Sequence, residues 1–371
     1  MYVVIRHENI SIRTKKMLYS NILFTLITAT MLIICGLFLH NALKQDIVQM
    51  KKIELFSKYE TEVSNQVTGD QDTLKKGPNA KIESRLEIGL PLLKNLNQLI
   101  QEVKDNKWKN ELQTEMKVYD LAMRYQQVEG SFSASEKDMK KAIQLNENLL
   151  QQGLPKEDLD LSIQPSLFMK KVISLLLNAP GFLILLLLLG TVITKEFEDH
   201  TIKLAYTLPI SRTHYILIKF FSLLIVSLLW ILLVFSLSYM LPTIFGKSTG
   251  NIFNYPLFTK TETIISTGTY LKTALTYSLC YSTVAIPLLV LIGFWIRNTL
   301  VTYLILSIIL SSGFILSKIS FNPFLSPLSY QQIDRIILDN NKYYPLGAVV
   351  LIGSTLLLLL CAICMNRKRG V

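Results

Sequence analysis

Apolar residues gather into six long runs along the chain, at about Leu18–Leu39, Val172–Thr194, Phe220–Leu241, Thr273–Ile296, Asn298–Ser317 and Leu346–Met365. Each approaches the ~20 mostly apolar residues that carry a helix across a bilayer. The runs predict six transmembrane helices. Gly181, Pro287 and Gly293 fall inside them, which neighbouring helices tolerate by satisfying the loosened backbone. Between the first and second runs, residues 41–171 hold no run of span length and change period instead. Leu92, Leu96, Leu99 and Val103 recur at helical spacing, as do Leu112, Met116, Tyr119 and Met123, and nearly so Met139, Ile143, Leu145 and Leu149. That is the spacing of one buried helix face.

The pattern divides the chain into a lead-in and first span (1–40), a helical domain (41–171) and a bundle of five further spans (172–371). The fold class is an all-α polytopic membrane protein with a large helical extracellular domain between its first two spans. Within 41–171, residues 68–80 read as a loop, Ser133 with Glu136 as a capping box, and Gly153 before Pro155 as a helix stop. Two roles stay open for this domain, a spacer bundle or a part in substrate capture or gating. The segment QQIDRIILD (331–339) reads as one short amphipathic helix at the outer face.

Charge orients the spans. Arg6, Arg13, Lys15 and Lys16 precede the first run, Lys195, Lys203, Arg212 and Lys219 lie between the second and third, and Arg367, Lys368 and Arg369 follow the last. Basic residues concentrate on the cytoplasmic side, so both termini are expected there, in a bacterial cytoplasmic membrane. The net charge of +11 suggests a nucleic-acid partner until it is mapped. Residues 41–171 are neutral, and the excess sits at span borders, where cations meet anionic lipid. Membrane lipids, and no nucleic acid, are the expected contacts.

Candidate chemistry is sparse. Half of the 371 residues are hydrophobic, and the four histidines, His7, His40, His200 and His214, have no metal-ligand spacing. Gly246-Lys247-Ser248 lacks the first glycine of a phosphate-binding loop, Leu241 standing in its place. Cys361 and Cys364 lie in an apolar helix without polar partners in sequence, and no cysteine lies in 41–171. Ionisable residues inside spans mark ion-coupled carriers, and the six runs contain none; Asn178 is the most polar residue internal to them. No catalytic, cofactor or metal site is expected, so an energy source lies elsewhere.

The exception is TKEFEDHTIKLAYTLPISRTHYILIK (194–219), a charged stretch between two spans. Read as a helix over 195–208, it places Phe197, Thr201, Leu204, Ala205 and Leu208 on one stripe and Lys195, Asp199 and Lys203 opposite. Glu196, Glu198 and Asp199 then fall in an N-terminal turn, where the dipole favours them. Pro209 ends the helix. By pattern alone the stretch is equally an interfacial connector or a lever held by a cytoplasmic partner.

Glu196, Thr201, Pro209, Ser211, Arg212 and Lys219 resemble the pattern of ABC-2-type transporter permeases, roughly Glu, three residues, Gly-Thr, then Pro-x-Ser-Arg and a Lys opening the next span. His200 stands where glycine is usual. The large first external loop is similar to that of a Gram-positive subgroup associated with peptide-antibiotic resistance and bacteriocin immunity. The resemblance implies an exporter subunit without catalysis of its own. ATP would be bound by a separate ATPase, present in two copies beside a second permease chain, identical or different. The charged stretch would be the coupling helix, with Glu196, Phe197, Thr201, Leu204, Leu208, Pro209 and Arg212 as its working residues. The cargo would be hydrophobic or amphipathic, such as an antimicrobial peptide, with a lipid-like molecule, drug or ion as alternatives. The rival readings fit less well. A membrane sensor or scaffold needs an output domain for which the inner segments leave no room, and an intramembrane enzyme needs paired ionisable groups.

Overall fold

A computed structural model describes the backbone over residues 2–202, 211–246, 252–318, 326–339 and 344–368, with side chains described from residue 21 onward except 316–318, 344–346 and 367–368. The expected all-α architecture holds. Helices α1 (Tyr2–Leu43), α2 (Gln45–Leu74), α3 (Ala80–Lys104), α4 (Trp108–Gln127), α5 (Glu136–Gln152), α6 (Pro165–Leu176) and α7 (Ala179–Glu198) come first. They are followed by α8 (Arg212–Phe245), two short strands β1 (Pro256–Phe258) and β2 (Ile264–Ser266), and α9 (Thr267–Ile296). The last helices are α10 (Thr299–Lys318), α11 (Ile333–Asp339) and α12 (Tyr344–Lys368). A 3-10 turn, Pro327–Gln331, leads into α11.

The chain separates into two units. One comprises Leu39–Leu167 with Gly246–Leu257, the other Met1–Phe38, Phe168–Phe245 and Phe258–Val371. In the first, which we call the loop domain, α2 packs on α3, α3 on α4 and α4 on α5. Its core holds Leu92, Leu96 and Leu99, each fully buried, with Phe56, Tyr59, Val63 and Val67 of α2. The α2 helix runs through to Leu74, so the loop expected over 68–80 is shorter, only the residues between Leu74 and Ala80 lying outside helices. The cap of α5 is Ser135, whose side chain accepts from the Asp138 N–H. The capping box expected at Ser133 and Glu136 is thus shifted, because Asp138 rather than Glu136 occupies the third helical position. Gly153 takes φ 66 at the C-terminus of α5, with Leu154 N–H donating to the Leu149 carbonyl at 2.9 Å, a left-handed cap that glycine adopts without a Cβ penalty.

In the second unit, the helical bundle, five helices among the described residues are long and apolar enough to cross a membrane: Asn21–Leu43, Ala179–Glu198, Arg212–Phe245, Thr267–Ile296 and Gly347–Asn366. The fifth predicted span, Asn298–Ser317, falls on α10, which has 20 residues. The centre of the bundle is α9, packed against α7, α8, α10 and α12.

The second predicted span, Val172–Thr194, is not one helix. It breaks at Leu177 and Asn178, between α6 and α7. Pro180 lies in the first turn of α7, where its missing N–H costs nothing. Gly181 follows, and a Cβ there would lie 1.8 Å from the Leu176 carbonyl oxygen. Asn178, read from sequence only as a polar residue within a helix, spans the break. Its Nδ2 donates to the Ser174 carbonyl at 2.6 Å, and its Oδ1 accepts from the Ile333 N–H at 2.9 Å.

The segment 326–339 is the other departure. The short helix expected within 331–339 forms, as α11, but its apolar face is wedged into the bundle, with Tyr330, Gln331, Ile333 and Ile337 essentially inaccessible. Gly313 and Gly347 make room for it. A Cβ at either would lie 2.6 Å from the side chain of Leu328 or Tyr330 respectively.

Candidate functional site

The charged stretch singled out in the sequence leads to a cluster at the far end of α7. That helix continues through Lys195, Glu196 and Phe197 to Glu198. Asp199 then caps it, and His200 turns into the left-handed region at φ 56. The helix expected over 195–208 is therefore interrupted. Lys203, Leu204, Ala205, Leu208 and Pro209 lie outside the described residues. The physical reason is the backbone at His200, since an α-helix does not pass through a left-handed residue. It occupies the position at which the permease pattern carries glycine, the residue that takes such a φ most readily.

This places Glu196, Glu198 and Asp199 in and beyond the last turn of a helix rather than in a first turn. A helix C-terminus repels anions, so these carboxylates need partners, and both glutamates have them. Glu196 Oε1 accepts from Lys219 Nζ at 2.6 Å, and Glu196 Oε2 accepts from the Tyr215 hydroxyl. The ion pair is almost dry, with side-chain exposures of 8% and 12% for Lys219 and Glu196. Lys219 also lies over the Tyr215 ring, 5.8 Å from its centroid. Glu198 Oε1 accepts the backbone N–H of Thr299 at 2.7 Å, an anion on the N-terminus of α10. The Thr299 hydroxyl donates to Thr194 Oγ1 at 2.7 Å, and Thr194 donates to the Gly190 carbonyl at 2.9 Å.

An aromatic layer backs the carboxylates. The Phe197 ring meets Phe294 edge-on at 5.2 Å, Tyr215 meets Phe294 at 6.2 Å, and the Arg297 guanidinium lies 5.6 Å over Phe197. Arg297 ends α9 at φ 61 with its N–H on the Gly293 carbonyl. The close approach of α7 and α9 depends on that glycine, whose added Cβ would lie 2.9 Å from Ile193 Cγ2.

Among the residues expected from sequence, Glu196 and Phe197 belong to this cluster. Thr201 joins it at the rim, its hydroxyl 3.3 Å from the Glu196 carbonyl oxygen. Arg212 opens α8, and Ser211 caps that helix by accepting from the His214 N–H at 3.3 Å. Tyr215, Phe294, Arg297 and Thr299 were not expected. They lie on other elements, and no local period signals a contact made through folding. Lys219 did carry a signal, since the family pattern pairs a Glu before the turn with a Lys after it, and those two residues form the ion pair.

The arrangement holds three helix ends, α7, α8 and the α9–α10 corner, in fixed relation around one dry ion pair. Ser211 Oγ lies 3.0 Å from His214 Nδ1 at the start of α8, and among the described residues no group of three or more His, Cys, Asp or Glu could hold a metal. The cluster's contacts join the ends of α7, α8 and α10 to one another. No curated protein and no solved structure matches the chain. The family model for ABC-2 family transporter proteins matches residues 2–365. With membrane-spanning helices, a joint at the permease motif and a match over nearly its whole length, the chain belongs to the ABC-2 transporter family, as a multi-pass membrane permease that implies an ATPase partner.

Proposed function

We propose that this chain is the membrane subunit of an ATP-driven exporter, and that its partner ATPase acts on the connection between α7 and α8. The observation that carries the reading is the buried Glu196–Lys219 pair with Tyr215. A force applied to the short connection between α7 and α8 reaches both helices through a joint with no slack. Rigid-body coupling between two discrete states needs such a joint. Thr201, Leu204, Leu208, Pro209 and Arg212 are the residues proposed to meet the ATPase, with Glu196 and Phe197 fixing their base.

The ATPase binds the ATP, two copies serve one transporter, and a second permease chain, identical or different, completes it. The termini and this joint face the cytoplasm of a bacterial cell. The cargo is hydrophobic or amphipathic, such as an antimicrobial peptide, on the strength of the resemblance to the peptide-resistance subgroup.

Gentle detergent extraction of the tagged chain, with mass spectrometry of what accompanies it, tests the reading. A stoichiometric protein with a phosphate-binding loop is expected, and a chain that arrives alone without ATPase activity would overturn it. Phe197 packs on Phe294 and Arg297, so its replacement reads the fold as well as the partner. Leu204→Asp with Leu208→Asp separates the two. The pair should abolish co-purification and leave membrane insertion intact.

A further inference from the structure

We infer that the base of the loop domain, the end nearest the first span, is a lipid-docking surface, and that the turn between α3 and α4 anchors it through Trp108 and three lysines in anionic headgroups. The inference needs only that α1 spans a membrane. It goes beyond the exporter reading and does not depend on it.

The loop domain includes the last residues of the first span, Leu39–Leu43. Helix α2 begins at Gln45, almost directly after it. Backbone bonds continue through the bend, since Lys44 N–H donates to the Asn41 carbonyl and Val48 N–H to the Lys44 carbonyl. The first turns of α2 are therefore tied to the membrane border. They are bonded in turn to the segment joining α3 and α4. Gln49 Nε2 donates to the Val103 carbonyl at 2.9 Å, and Lys52 Nζ to Glu111 at 2.8 Å. Gln49 follows Leu43 by six residues, about 9 Å at 1.5 Å per helical residue. The turn between those two bonds, residues 104–110, is thus held beside the end of the span.

What the turn carries suits that place. Its sequence is KDNKWKN, three lysines against one aspartate, in a domain that is neutral as a whole. Lys104, Lys107 and Lys109 are exposed, and Asp105 pairs with Lys107 at 2.9 Å. Trp108 is half-buried, and Lys109 lies over its ring, 5.4 Å from the centroid. Tryptophan settles at headgroup level at a membrane–water interface, and lysine there is drawn to anionic lipid. The shape of the turn does not depend on the lysine charges. Asn106 takes φ 55, and Lys107 N–H donates to the Glu102 carbonyl at 3.0 Å, a backbone closure of the helix end.

Apolar exposure gathers at the same end. Leu39, Leu43, Ile47 and Met50 are all exposed, Leu43 by 81%, on the helix face opposite Gln45, Gln49 and Lys52. Leu159 is exposed too, two residues before Leu161, whose carbonyl accepts from Gln45 Nε2 at 2.6 Å. Beyond Leu55 and as far as Gln152, Leu90 is the one large apolar side chain exposed among the described residues. The stripe begins at Leu39, inside the span, so it continues a surface that already faces lipid. That continuity names lipid as its occupant. Asp46 and Asp160 are exposed at this end as well, which confines the contact with anions to the turn 104–110.

The test uses the full chain in lipid nanodiscs. Trp108 is read by difference, wild type against Trp108→Phe, because Trp230 and Trp295 also fluoresce. Lipid brominated high in its acyl chains should quench the Trp108 share by about half or more, as for a ring at headgroup level. Adding phosphatidylglycerol to phosphatidylcholine discs should deepen the quenching. Lys104→Gln with Lys107→Gln and Lys109→Gln should abolish that deepening, and inorganic phosphate added to phosphatidylcholine discs should not reproduce it. A Trp108 signal indifferent to bromine would overturn the anchor. An unchanged response to phosphatidylglycerol in the triple variant, or an equal response to inorganic phosphate, would overturn the recognition of anionic lipid. The stripe is read with Met50→Cys in a chain whose Cys35, Cys280, Cys361 and Cys364 are replaced by serine. A spin label there should be shielded from a water-soluble nickel reagent and open to lipid-dissolved oxygen. Oxidative crosslinking of that cysteine between copies would give the stripe to a second chain and overturn lipid as its occupant.

Discussion

Helices α3 and α8 share a period and invert its meaning. In α3, Leu92, Leu96, Leu99 and Val103 form the buried stripe. In α8, Ile218, Phe221, Ile225, Leu229 and Leu232 recur at the same spacing and are exposed. Its buried stripe includes Lys219, Ser227 and Ser238. The loop domain is thus organised against water, and the bundle against lipid tails as apolar as leucine. Helix association there is driven by packing and polar bonds instead of apolar burial. An amphipathic period reports a helix in either case. Which face is inside depends on the solvent.

The two regions should therefore answer to different substitutions. The largest effect is expected at Gly181. Gly181→Val would drive a side chain into the Leu176 carbonyl 1.8 Å from its Cβ, and the loss should exceed ~4 kcal/mol. Size-exclusion profiles of extracted protein should show no monodisperse species. Gly190→Ala, which meets the Tyr303 side chain at 2.8 Å, should be tolerated far better.

Next comes the ion pair. Glu196→Ala strands Lys219 in a dry site, and breaking a buried pair costs about 3–5 kcal/mol. The loop-domain counterpart, Glu115 with Lys156 at 2.7 Å, has a lysine 25% exposed. Its cation can turn to water, so Glu115→Ala should cost about 1–3 kcal/mol, the penalty of the amide hydrogen bond lost from Asn146. Thermal melts of both variants compare the two directly. Equal losses would break the contrast between the regions.

Apolar truncation sharpens it further. Leu96→Ala should cost about 2–5 kcal/mol, as a fully buried leucine in a water-facing domain. Leu229→Ala, 53% exposed on α8, should stay within about 0.5 kcal/mol, read by the same melts.

The smallest effect is a pH dependence confined to the loop domain. Burial pushes the Glu157 carboxyl above its ordinary value, against the hydrogen bonds from Ser162 and Gln164 and the Lys52 charge, with Asp158 adding to the rise. A raised value means that the folded state holds the proton more tightly than the unfolded state. Its contribution is fully present below the unfolded value near ~4.3 and is lost as pH rises through the folded value. The melting temperature of the wild type should fall relative to that of Glu157→Gln across that window. A constant difference between the two would show that Glu157 is not the group.

The sequence made the leucines of α3 legible because local period is enough to find a helix face. It made the motif legible because Glu196, Lys219 and the residues between them lie close in the chain. The break in the second span was missed although Asn178, Pro180 and Gly181 stand almost side by side. A long apolar run hides a break, because its hydropathy does not change there. The α2 helix escaped notice for the opposite reason, its buried Phe56, Tyr59, Val63 and Val67 being diluted by charge and glutamine. In the segment 326–339 the short helix Ile333–Asp339 was legible in QQIDRIILD, but its burial was not. Its burial depends on Gly313 and Gly347, on helices before and after it, and the proline-rich sequence around it resembles an ordinary surface loop.

The Glu196–Lys219 pair also bears on how the chain enters the membrane. Each charge is on the border of an apolar helix, and at the centre of a span either would add about 2.5–3.5 kcal/mol to the cost of insertion. As a pair with Tyr215, they present a single neutral group shared between α7 and α8. Inserted together as one hairpin, α7 and α8 carry each charge with its counter-ion already in place, which lowers the cost either helix would meet alone.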